Sequence, residues 1–115
     1  MAIQIHHNPR CSKSRQTLAL LQEKGIEPEV ILYLETAPSP TELKALLKKL
    51  GLTARDVIRK GEQIYKDLNL GDQTTTEDAL ISAMSANPIL IERPIVVNGT
   101  KARLGRPPEA VLEII

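Results

Sequence analysis

Ala2-Ile3-Gln4-Ile5-His6 alternates apolar and polar residues, the period-two signature of a half-buried strand beginning almost at the terminus. Asn8-Pro9 breaks that pattern. From Ser12 or Lys13 to Lys24, Leu18, Leu20 and Leu21 make a helical stripe, and Gly25 stands where a helix is expected to stop. Glu29-Val30-Ile31-Leu32-Tyr33, directly after Pro28, reads as a second short strand. Two strands joined through a helix imply parallel pairing and a right-handed crossover.

Thr36-Ala37-Pro38-Ser39-Pro40 is a rigid connector. Leu43, Leu46, Leu47 and Leu50 then recur at helical spacing, which predicts a helix over 41–50 stopped by Gly51. Thr53 can cap a short helix through Ile58, with Asp56 favourable to its dipole. A further helical segment is expected from Ile64 to Leu68. Thr74-Thr75-Thr76 leads into Glu77, Asp78 and the apolar Leu80, Ile81 and Met84, a helix start with acids in its first turn. Asn87-Pro88 breaks again. Ile95-Val96-Val97 follows Pro94 as a strand, Asn98-Gly99 signals a hairpin, and Lys101 to Leu104 should return antiparallel. Pro107-Pro108 opens a last short helix carrying Val111, Leu112 and Ile115. The order is β-α-β, a mostly helical stretch at about 40–87, then β-β-α. That is the arrangement of an α/β, thioredoxin-like fold with a mixed sheet, expected as a single domain over 1–115 with a helical insert. Fold alone does not give function.

The 115 residues suit one compact domain, which at this size buries roughly 60–70% of the surface its unfolded chain exposes. Fifteen Lys and Arg against fourteen Asp and Glu leave a net charge of +1, so no basic excess points to a nucleic acid. With no Phe, no Trp and two Tyr, the core must be aliphatic and stacking platforms for bases are absent. No apolar run approaches the ~20 residues of a membrane span, and no signal-peptide core is seen at the N-terminus. A soluble cytoplasmic protein is expected. Its single cysteine excludes an internal disulfide and a cysteine-based zinc site, and neither a metal nor a bound cofactor is expected.

That cysteine has an informative address. In His7-Asn8-Pro9-Arg10-Cys11-Ser12-Lys13-Ser14-Arg15 it lies between a strand end and a helix start. A helix N-terminus carries partial positive charge and unpaired N–H groups. Arg10, Lys13 and Arg15 add charge, Ser12 and Ser14 can donate hydrogen bonds, and His7 could hold a thiolate as an ion pair. The same donors would cradle an oxyanion. A lone intracellular cysteine is more often an inert buried thiol, but this position and charge argue for a reactive one. For His7, an ordinary polar rim residue is the competing reading.

Two absences narrow the chemistry. Thr17 stands where a Cys-x5-Arg phosphatase loop would need arginine, and Ser14 stands where Cys-x-x-Cys would need its second thiol. Cys11 cannot close a disulfide with a neighbour, so any redox cycle must borrow an outside thiol. Arg59, Arg93 and Arg106 form a second group of signals. Arg93 and Arg106 each precede a proline that restricts the backbone. In a thioredoxin-like fold Pro94 would place Arg93 beside Cys11. Each arginine alone would pass for a solvated charge, but three converging on a thiolate would clamp a tetrahedral oxyanion.

His7-Asn8-Pro9-x-Cys11-x-x-Ser14-Arg15, with Tyr33-Leu34-Glu35-Thr36, Leu90-Ile91-x-Arg93-Pro94-Ile95-Val96-Val97 and Arg103-Leu104-Gly105-Arg106-Pro107, resembles the glutaredoxin-dependent arsenate reductases over nearly the whole chain. The resemblance implies Cys11 as nucleophile, His7 tuning it, Arg59, Arg93 and Arg106 binding the oxyanion, and Asn8, Ser14, Arg15 and Pro94 in support. It also implies arsenate as substrate, glutathione as co-substrate and glutaredoxin as partner. Well-known resistance enzymes of that family continue beyond the position of Ile115, a departure that bears on substrate and efficiency more than on chemistry. Two other functions remain open from sequence. One is a monothiol glutathione-linked oxidoreductase without arsenate activity. The other is a non-enzymatic regulator resembling Spx, which binds RNA polymerase but normally carries Cys-x-x-Cys.

Overall fold

The computed structural model describes residues 3–115 and divides into two compact units, one formed by residues up to Thr36 together with Arg93–Ile115, the other by Ala37–Glu92. The first unit is built on a four-stranded sheet. Its strands are β1 (Ile3–His6), β2 (Glu29–Ile31), β3 (Ile95–Asn98) and β4 (Lys101–Leu104), arranged in the order β2-β1-β3-β4. β1 pairs parallel with β2 through the intervening helix α1 (Ser12–Glu23), while β3 runs antiparallel to both β1 and β4. These are the βαβ and ββα halves of a thioredoxin-like fold sharing one mixed sheet. Ala2, expected at the start of the first strand, lies outside the described residues.

Ile95, Val96 and Val97 are all buried because β3 is a central strand covered on both faces. Ile5, Leu21, Val96, Val111 and Ile114 form the core, with Ile3, Leu18 and Ile26 packed against it. This cluster is aliphatic, as the composition requires, although Tyr33 is also fully buried.

Several element ends shift by a residue, and three differences are larger in consequence. β2 stops at Ile31, because the Leu32 carbonyl turns to accept the N–H groups of Glu35 and Thr36, both at 2.9 Å. The hairpin turn is centred on Gly99-Thr100, with Asn98 and Lys101 paired as its last strand residues. Gly99 takes φ +64°, while Thr100 is not left-handed, which is the pattern of a type II′ turn with glycine in its first central place. The final segment, Pro108–Ile114, is a 3₁₀ helix. Its buried positions, Pro108, Val111 and Ile114, recur every third residue, and side chains eclipse at that interval in a 3₁₀ helix. Leu112 and Ile115, the other apolar residues expected on this helix, are half-buried and exposed.

The second unit is helical: α2 (Pro40–Leu50), α3 (Ala54–Val57), α4 (Gln63–Asp67), α5 (Glu77–Ala86) and a 3₁₀ turn at Pro88–Leu90. Ser39 and Glu42 form a reciprocal capping box at the start of α2, and Thr53 and Asp56 repeat it for α3. α5 packs against α2, α3 and the 3₁₀ turn, burying Leu80, Ile81 and Met84. An isolated antiparallel bridge joins Ile58 to Ile91 and is flanked by the Arg59 N–H on Leu90 O and the Glu92 N–H on Val57 O. Among the described residues, no helix is long and apolar enough to cross a membrane.

Candidate active site

Asn8-Pro9-Arg10-Cys11 is a tight turn that delivers the thiol to the start of α1. The Asn8 carbonyl accepts the Cys11 N–H at 3.0 Å, closing the turn with Pro9 in the position where its fixed φ fits. The Asn8 side-chain oxygen accepts the Arg10 N–H at 3.0 Å, and the Arg15 guanidinium donates to Pro9 O at 2.9 Å. Each of these residues therefore has a structural task in holding the turn.

Cys11 is the N-cap residue of α1, with extended backbone angles (φ −95°, ψ 123°). N-caps are usually Ser, Thr, Asp or Asn, whose oxygen takes a helical N–H. Here a half-buried sulfur holds that place. Burial alone would raise the thiol pKa. The Ser14 N–H, the Arg93 guanidinium (by hydrogen bond and by charge) and the Lys13 N–H more than offset it, leaving the pKa below that of an ordinary cysteine. No side-chain cap hydrogen bond is closed by the sulfur, so these N–H groups are poised for the thiolate more than engaged by the thiol.

Arg93 and Arg106 both belong to this unit, at the entry to β3 and the exit from β4. An Arg106 Nη2–H points to the Cys11 sulfur at 3.8 Å, and its Nε–H donates to the Arg93 carbonyl at 2.9 Å. Each is followed by a cis proline, Pro94 and Pro107. Pro94 is buried and its carbonyl accepts the Gly105 N–H at 2.9 Å. Of the three arginines expected to converge on Cys11, the structure brings Arg93 and Arg106 to the sulfur.

Arg59 lies in the second unit. Its Nε donates to Glu62 Oε2 and its Nη1 to Glu92 Oε1, each at 3.2 Å. Neither acidic partner was singled out from sequence, although Glu92 directly precedes Arg93.

His7 departs from expectation. Its Nδ1 is 2.6 Å from Ser14 Oγ, which also accepts the Asn8 N–H at 3.0 Å. The Ser14 hydroxyl can donate to a bare Nδ1 or accept from a protonated one, so the contact braces the ring in either tautomer. Burial, then the charge of Arg15, lowers the His7 pKa, so the ring is neutral near pH 7. The contact shown for His7 is with Ser14, which braces the turn, and its depressed pKa disfavours the imidazolium–thiolate pair weighed from sequence. The hydroxyl of Ser14, expected to serve the thiolate, serves His7 and Asn8 instead, and its backbone N–H serves the sulfur.

The arrangement can stabilise a sulfur anion and present two guanidinium groups to an oxyanion beside it. A family model described as the ArsC family matches residues 6–114. The chain belongs to the ArsC family. It is 51% identical over 116 residues to a Haemophilus influenzae protein named arsenate reductase, with both chains covered in full. It is 60% identical over 114 residues to the Escherichia coli K12 protein called uncharacterized protein YfgD, covering 98% of this chain and 96% of that one. A solved structure titled arsenate reductase from Vibrio cholerae matches with a TM-score of 0.97 at 59% identity, covering 100% of this chain and 98% of the other. Within the ArsC family, then, this chain carries the thioredoxin-like scaffold together with the thiol and two arginines gathered at one end of its sheet.

Proposed function

We propose that the protein is an arsenate reductase that uses glutathione and glutaredoxin, with Cys11 as nucleophile and Arg93, Arg106 and Arg59 as oxyanion ligands. The observation that carries this reading is the N-cap position of Cys11, with the Arg93 and Arg106 guanidinium groups on its sulfur. Arsenate condenses with the thiolate: an S–As bond forms, an As–O bond breaks, and the oxygen leaves as water after protonation. The guanidinium groups spread the charge of the remaining oxygens.

The chain has one cysteine, so the next electron pair comes from outside. A glutathione thiolate attacks the Cys11 sulfur. The S–As bond breaks with its pair left on arsenic, which falls from +5 to +3 and departs as arsenite after taking up a proton. Cys11 and glutathione are left as a mixed disulfide. Glutaredoxin thiolate then takes the glutathione and returns Cys11 to its thiolate. Such a cycle belongs in a reducing compartment, the cytoplasm.

Purified protein supplied with arsenate, glutathione, glutaredoxin and a glutathione-reducing system should release arsenite, and Cys11→Ser should abolish it. Glutathione-adduct reduction without arsenite release would instead establish the monothiol oxidoreductase reading. No turnover of either kind by a protein with a reactive Cys11 would sink both.

A further inference from the structure

Gly105 sits between β4 and Arg106, and it is tight for reasons of space rather than backbone angle. A Cβ built there would lie 2.5 Å from Thr17 Oγ1, 2.7 Å from Pro94 Cγ and 3.2 Å from Pro94 Cδ, while its φ is outside the left-handed region. Cβ contacts under 3.0 Å require a neighbour to move, and neither neighbour is well placed to do so. Thr17 is fully buried in α1, with its hydroxyl bonded to Lys13 O at 2.8 Å. Pro94 is a closed ring whose carbonyl already holds the Gly105 N–H at 2.9 Å.

Three segments therefore interlock at one absent side chain, and each carries a member of the site. α1 has Cys11 at its N-cap, the Pro94 segment begins with Arg93, and the Gly105 segment continues into Arg106, whose Nε–H ties it back to Arg93 O. We infer that Gly105 is a positioning residue: its missing side chain sets the separation between the thiol-bearing helix and the two guanidinium groups. The inference deepens the function proposed above by naming what holds its oxyanion site together, but it concerns the thiol even where arsenate is not the substrate. An added methyl must lift the Gly105–Arg106 segment from α1 and Pro94 or displace Pro94, and either movement carries an arginine away from the sulfur.

The test is the pH profile of Cys11 alkylation, with and without inorganic phosphate or arsenate, in Gly105→Ala. The thiol pKa should rise towards ~8.5, and the anion concentration that protects Cys11 should rise about tenfold, on the scale of a weakened charge-assisted hydrogen bond. Val111→Ala is the comparison, since it opens the same unit's core cluster, which contains none of the site residues. It should lower the melting temperature while leaving the thiol pKa and anion protection at wild-type values. Gly105→Ala combined with Thr17→Ala removes the 2.5 Å conflict but not the one with Pro94, so intermediate values are expected. The double variant also gives the reading if the single one does not fold. A wild-type pKa and wild-type protection in either Gly105 variant, or equal shifts in Val111→Ala, would overturn the inference. If no anion protects the wild-type thiol, the oxyanion function fails, and the pKa comparison still decides the role of Gly105.

Discussion

Arg106 Nη2 lies 3.8 Å from the sulfur of Cys11, although the two residues are separated by most of the chain. The β3–β4 hairpin makes this meeting possible by returning the chain beside β3, so that the end of β4 faces the entry to β3 and Arg106 can bond the Arg93 carbonyl. A thiolate at a helix N-cap gains from any nearby cation, and a guanidinium gains further by directing an N–H at it.

Replacing Arg106 by alanine should therefore raise the Cys11 pKa towards that of an unperturbed thiol, ~8.5. Arg106→Lys should restore only part of the effect, because an ammonium cannot bond Arg93 O and approach the sulfur with the same planar fork. Iodoacetamide reactivity measured against pH reads both. An unchanged profile in Arg106→Ala would remove this residue from the thiol's environment.

His7 makes the fold sensitive to mild acid. Its folded pKa is depressed by burial and by Arg15, whereas in the unfolded chain it is about 6.5. Between those two values the unfolded state binds more protons, so stability rises with pH across the window and falls as the solution is acidified through it. Urea unfolding between pH 7.5 and 5 should show this loss in the wild type and a smaller loss in His7→Gln. Taking the difference cancels the remaining groups: Asp56 and Asp72, also depressed, titrate below this range. Parallel pH dependences in the two proteins would refute the assignment.

Ser14 separates two tasks within one residue. Its hydroxyl is fully buried between His7 Nδ1 and the Asn8 N–H, so Ser14→Ala leaves both without that partner and should cost about 1–3 kcal/mol of stability. Its backbone N–H, which alanine retains, is the group that favours the thiolate. Denaturation should thus show a clear loss while the Cys11 pKa moves little. A large pKa shift with unchanged stability would invert the division of labour.

Much of this was legible along the chain, because strands, caps and the thiol's address are local features. The alternation through Ile3 and Ile5, the cap at Thr53 and the strand–turn–helix setting of Cys11 each lie within a few consecutive residues, whereas Ser39, read as part of a connector, caps α2. The approach of Arg93 to the thiol could be anticipated from Pro94 in a thioredoxin-like fold, that of Arg106 from the resemblance. The role of α1's polar face was hidden for a physical reason. Its buried stripe is Ser14, Thr17 and Leu21, two hydroxyl residues continuing an apolar line, and hydrophobic periodicity registers only the leucine. The hydroxyls are buried because they have partners: Ser14 in His7 and Asn8, Thr17 in the Lys13 carbonyl. Gly105 was likewise invisible as a contact, since the atoms that exclude its side chain come from distant segments.

Arg59 offers the sharpest separation of binding from activation. The groups that act on the Cys11 sulfur are the Lys13 and Ser14 N–H, Arg93 and Arg106, all within the first unit. Arg59, in the second unit, bonds Glu62 and Glu92 through half-buried ion pairs. If Arg59 is an oxyanion ligand, as proposed, Arg59→Ala should weaken protection of Cys11 by arsenate or phosphate while leaving the alkylation pH profile without anion unchanged. Because both ion pairs are half-buried and the variant leaves two carboxylates without Arg59, its melting temperature is measured alongside to show that it is folded. Full anion protection in Arg59→Ala would confine the clamp to Arg93 and Arg106.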